Sequence, residues 1–213
     1  MHTMPTRKYN LETRRQKQAT LKARIAAATA DLHASKGAAA TSYADIARQA
    51  GVSLPTVHSH FPTEAALFTG CTSHVAEHAP AIPVDKILQA TTLGVALKRL
   101  ITAMEAQHRY YEPWSARRME SYVSFLADLA EDIRKNQACL VAQILNHFLE
   151  HAVGRKVIAG CETLLSFDTW HRLVRGHGLT QADARQILLQ GLLSIIGPEA
   201  TGDISSNPRR KSQ

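Results

Sequence analysis

The chain has 213 residues, 45% hydrophobic but only 6% aromatic, and carries a net charge of +7 with histidine neutral. That length allows one large domain or two small ones around a real core. Three cysteines (Cys71, Cys139 and Cys161), odd in number and without a CxxC pair, argue against a disulfide framework and for a reducing compartment. The N-terminus is polar and lacks an apolar signal segment, and no run approaches about 18 consecutive apolar residues. A cytoplasmic protein with no membrane partner is expected.

The charge is uneven. Between Met1 and Phe68 nine Lys/Arg stand against four Asp/Glu. A basic end of this kind suits a polyanion partner, or is a solvated tail. Alanine and leucine dominate and β-branched runs are scarce, which favours helices. An all-α fold is expected, with a three-helix N-terminal head and a helical body.

In chain order, residues 1–14 read as a disordered basic arm containing Pro5, Arg7, Lys8 and Arg14. A first helix spans about 15–35, with Leu21, Ile25, Ala28 and Leu32 on one face and Gly37 at its end. Residues 15–79 form the head. Ala79–Pro83, with two prolines, reads as a hinge. Residues 80–198 form the body, with Leu97, Leu100, Ile101 and Met104 on one helical face and Leu140, Ile144 and Phe148 on another. Glu112-Pro113 predicts a helix break with Pro113 in a new first turn. Thr180 and Asp183 predict a capping box for a last helix. Residues 199–213 read as a disordered tail.

The informative stretch is Ser42 to Phe61. Ser42 with Asp45 three residues on predicts a capped helix whose apolar face is Tyr43, Ile46, Ala47 and Ala50. Gly51 permits the positive φ of a tight turn, and Val52 plugs the corner. Ser53 caps a second helix, Pro55 fits its first turn, and Val57 and Phe61 point to the core. A helix of about seven residues is roughly 10 Å long and fits a major groove.

These residues resemble the DNA-binding head of the TetR (tetracycline-repressor-like) family. The matching pieces are Asp45-Ile46-Ala47, Ala50-Gly51-Val52-Ser53, His60-Phe61, and Pro62-Thr63 through Leu67-Phe68, about a quarter of the chain. The resemblance implies a helix-turn-helix DNA-binding domain at 15–79 and an effector-binding and dimerisation domain at 80–198. The implied function is a repressor that leaves double-stranded operator DNA when a small-molecule effector binds. No enzyme activity and no cofactor are implied.

The resemblance implies DNA contacts at Ser42, Thr56, His58, Ser59 and His60; Arg48, Ser53, Leu54 and Pro55 are further candidates by position, and Arg14 and Arg15 are placed to enter a minor groove as basic arms do. Two departures stand out. Glu64 replaces a phosphate-contacting lysine, and His58 replaces a common tyrosine. Leu54–His60 also contains no Arg, Lys, Asn or Gln, the usual bidentate readers of guanine and adenine. Readout by thymine methyls, histidines and DNA shape is therefore expected.

The homodimer implied by the family would use helices at about 136–154 and 181–196. Its interface candidates are Ile144, Phe148, Ala184, Leu188, Gly191 and Ile195; packing of that face within its own chain is the alternative. Candidates for an effector pocket are Met104, His108, Tyr111, Trp114, Met119, Tyr122, Phe125 and Phe148, which combine apolar area with a few polar tips.

Cys71, His74 and His78 fall at helical spacing and form a weak metal-site candidate, so a metal-responsive regulator is an alternative. His74, Glu77 and His78 also match H-x-x-E-H, a zinc-enzyme pattern, though no further ligand accompanies it. His147, Glu150 and His151 make a similar cluster. A helical module binding DNA through charge alone is the remaining alternative.

Overall fold

The computed structural model describes residues 11–115, 123–149 and 152–197, with side chains for 12–115, 131–149 and 152–197. Ten α-helices and no strand occur among the described residues. The chain divides into two compact units, Met1–Ala79 with Pro113–Ser121, and Pro80–Glu112 with Tyr122–Gln213.

The first unit holds α1 (Leu11–Lys36), α2 (Tyr43–Ala50), α3 (Leu54–His60) and α4 (Glu64–Glu77). Helix α1 starts earlier than the sequence pattern indicates, because Thr13, Arg14, Arg15 and Gln16 have no helix breaker among them. Arg14 is therefore a helical residue, like Arg15, and not part of an extended arm. The arm expected at 1–10 lies outside the described residues.

The head core gathers Ile25, Ile46, Ala47, Ala50, Val57, Phe61 and Leu67. Burying side chains such as Val57 and Phe61 stabilises the unit by about 1.5–3 kcal/mol each. Thr29 is fully buried, and its hydroxyl donates to the Ile25 carbonyl at 2.8 Å. That bond removes the penalty of an unpaired polar group in the core.

The second unit holds α5 (Val84–Leu88), nearly all of α6 (Leu93–Ser115), α7 (Val123–Phe148), α8 (Arg155–Leu164), α9 (Phe167–His171) with a π turn over Arg172–Gly176, and α10 (Gln181–Ile196). Two expectations are corrected here. Helix α6 runs through Pro113 to Ser115 without breaking. The ring removes the hydrogen bond that an N–H at position 113 would give the Arg109 carbonyl, and the described helix continues past it. The segment 136–154 is not a helix of its own: α7 covers 123–148, and Gly154 then opens α8.

The dimer candidates also make contacts within the chain. Ile144, Ala184 and Leu188 are buried inside the body. A Cβ on Gly191 would come within 2.8 Å of Leu164, and one on Gly160 within 3.1 Å of Ile195. The small residues of α10 thus let it approach α8 of its own chain. Phe148 and Ile195, partly buried, also pack against this core.

Candidate nucleic-acid interface

The head exposes one short helix on a well-capped support. Ser42 Oγ accepts from the Asp45 amide at 3.1 Å, and Asp45 Oδ2 accepts from the Ser42 amide at 3.2 Å, closing the capping box of α2. Lys36 Nζ lies 2.7 Å from Asp45 Oδ2, and Arg48 Nη1 lies 3.0 Å from Oδ1. The Lys36 hydrogen bond, followed by those from Ser42, holds the Asp45 carboxyl well below the usual carboxylate range. Asp45 thereby ties the end of α1 to both ends of α2.

Gly51 takes φ +61°, a conformation that L side chains rarely adopt, and turns the chain into α3. Ser53 Oγ accepts from the Thr56 amide at 3.3 Å and lies 2.7 Å from the Thr56 hydroxyl. Pro55 sits in the first turn, where its missing N–H has no helical partner to lose. Val57 and Phe61 are buried on one side of α3.

Helical geometry then sends Leu54, Pro55, His58 and Ser59 to solvent. Leu54 is 41% exposed, unusual for leucine and a mark of a contact surface. The His58 ring stacks on Tyr43 of α2, centroids 4.5 Å apart and planes 8° apart. This stack restrains an exposed imidazole and aligns it with the outer face of α3. Tyr43 itself titrates above the usual tyrosine range, through burial and then the nearby Glu64 charge.

The sequence candidates divide by what already holds them. Leu54, Pro55, His58 and Ser59 form the outer face of α3, and Arg48 is exposed next to it in sequence on α2. Ser42, Ser53 and Thr56 spend their hydroxyls on helix caps. His60 is half-buried. One cation missed at the sequence level is Lys22, whose Nζ lies 5.4 Å from the centre of the Phe61 ring. Its spacing on α1 put it off the apolar stripe, and only the folded head brings it to the end of α3.

Residues 25–71 match the family model described as bacterial regulatory proteins, tetR family. The head is a tetR-family head. The match runs from the middle of α1, through α2 and α3, to the middle of α4, and so contains the whole helix-turn-helix. Residues 25–71 thus form a DNA-binding domain of the tetR-family kind. No curated protein compared with the chain matches it. Among the described residues, no helix is long and apolar enough to cross a membrane.

In this tetR-family head the metal stripe does not assemble. Cys71 is buried, its Sγ 3.7 Å from His33 Nδ1, and burial followed by the Asp31 charge pushes its thiol up to about 12. His78 Nδ1 donates to the His74 carbonyl at 2.7 Å, and Glu77 is exposed. Among the described residues no three His, Cys, Asp or Glu side chains gather to hold a metal ion. Glu150 and His151 of the second cluster lie outside the described residues.

The second unit contains a small cavity of about 10 Å³, room for roughly one water. Met104, Glu105, His108, Trp170, Arg185 and Leu188 are among its walls. Glu105 is buried and accepts from Arg185 Nη1 at 2.9 Å. His108 Nε2 donates to the Leu165 carbonyl at 2.9 Å, and burial lowers the pKa of the ring. Of the sequence candidates, Met104 and His108 line this pocket, whereas Tyr111, Trp114 and Phe148 do not. Met119 and Tyr122, and the side chain of Phe125, lie outside the described residues. Glu105 and Arg185 escaped notice because 80 residues separate them, a pairing that no local spacing reveals.

Proposed function

We propose that the chain is a repressor which, as a homodimer, occupies a two-fold symmetric operator and is released when a small molecule enters the body. The observation that carries the reading is the outer face of α3, where Leu54, Pro55, His58 and Ser59 are exposed on a helix of major-groove size. Leu54 and Pro55 meet thymine methyls, while the histidine and serine reach phosphate or base edges. The effector enters beside Met104 and His108 by widening a cavity that has room for about one water, where apolar walls flank the Glu105–Arg185 pair. Such a mixture suits a small organic molecule with one polar group. Entry releases the operator to the extent that the effector binds the off-DNA state more tightly.

The reading is tested by placing a duplex enriched by the full chain over a reporter promoter. Expression is expected to fall with the wild-type chain and to recover with Leu54→Ala combined with His58→Ala. Two chains per duplex are expected by native mass spectrometry. Raised or unchanged expression contradicts repression, and one chain per duplex contradicts the dimer.

A further inference from the structure

We propose that the N-terminal half of α1 is a second DNA-contact element, in which Arg15 and Lys22 hold phosphates of the duplex beside the groove that α3 enters. The inference rests on the reading of the head as a DNA reader and adds to it a surface outside the helix-turn-helix.

Helix α1 opens with Arg14, Arg15, Lys17, Lys22 and Arg24 against one carboxylate, Glu12. Every residue from 12 to 20 and from 22 to 24 is exposed. Among the described residues no carboxylate pairs with Arg15, Lys17, Lys22 or Arg24. Their charge is thus available to an outside polyanion.

Position selects two of these cations. The Lys22 ammonium lies over the ring of Phe61, the buried residue that ends α3. This cation–π contact holds a positive charge at the end of the recognition helix. Arg15 lies seven residues earlier on the same flank, about 10 Å along the axis. Lys17 and Arg24 are each two residues further on, about 200° round the helix, and so occupy the other flank.

The chemistry points to phosphate. Leu54–His60 has no lysine or arginine, so α3 brings no permanent cation to the backbone. Phosphate neutralisation nevertheless supplies much of the affinity for a duplex. Long, flexible cationic stems suit phosphate oxygens and carry no sequence information. A helix flank with two such stems beside α3 supplies the electrostatic part that α3 lacks.

The test uses the full chain, a duplex that it enriches from a random pool, and a random-sequence duplex, with affinity measured between about 50 and 200 mM salt. Arg15→Gln combined with Lys22→Gln is expected to weaken both duplexes alike, by about ten-fold, and to flatten the log affinity–log salt slope by nearly two per bound head. Lys17→Gln combined with Arg24→Gln is expected to keep the slope. Arg15→Lys combined with Lys22→Arg is expected to restore it, which separates lost charge from a folding defect. An unchanged slope in the Arg15/Lys22 double variant overturns the proposal. So does an equal loss in both glutamine pairs, which marks diffuse charge, or an acidic protein surface bound in competition with DNA at the same flank. Failure of the underlying reading is distinct: the wild-type chain then enriches no sequence, while the slopes on random duplex still report on the flank.

Discussion

Gly70 of α4 faces the ring of Phe61 so closely that a Cβ there would fall 3.0 Å from Cζ and nearer still to Cε1. Real Cβ atoms essentially never come this close, and Phe61 is 1% exposed with little room to move. The glycine seats the residue that ends the recognition helix. Gly70→Ala is expected to cost about 1–3 kcal/mol through overpacking, offset by up to about 1 kcal/mol of helix propensity. Thermal melting and operator binding should therefore weaken together. A variant with wild-type melting and wild-type affinity would show that the Phe61 seat does not position α3.

Leu54 is the apolar reader in this account. Leu54→Ala should leave stability unchanged, because the side chain is exposed, but relax the enriched sequence at thymine positions. Replacing one contacted thymine by uracil removes a methyl worth roughly 0.8 kcal/mol, about four-fold in affinity. The uracil penalty should vanish in the variant. The same penalty in both proteins would place the methyl contact elsewhere.

On α10, Gly191→Ala meets Leu164 of the same chain. Melting of the body should drop by an amount on the order of 1 kcal/mol, with the sedimenting mass unchanged. A fall in mass with unchanged melting would instead return Gly191 to an interface between chains.

His33 in the head and His108 in the body both have pKa values lowered by burial. Each binds a proton more readily once unfolded. Their contribution is intact well above the unfolded value, about 6.5, and is lost as pH falls through it toward the lower folded value. Denaturant melts should show stability declining below about pH 6.5, by up to about 1.4 kcal/mol per pH unit for each site. His108→Gln should flatten that slope, and an unchanged slope would mean that the ring is not neutral in the folded body.

The head was legible in sequence because its signals are local. Ser42 with Asp45, Gly51, and Ser53 with Pro55 each act within four residues, and the folded caps use those same atoms. The pocket was legible only at Met104 and His108, since Glu105 meets Arg185 across 80 residues. The small face of α10 marks close approach without naming the partner, and within the chain that partner is α8. Pro113 misled because a proline disfavours a helix in the preceding turn without forbidding it to continue. Lys22 went unnoticed because its partner, Phe61, lies 39 residues away.

The central claim is that α3 reads sequence. The most direct test is selection of bound duplexes from a random pool by the purified full chain at near-physiological salt. Enrichment of a two-fold symmetric site, lost when Leu54 and His58 are both replaced by alanine, is the expected result. Binding of bulk DNA with no enriched sequence, or the same site enriched by the double variant, would contradict the claim.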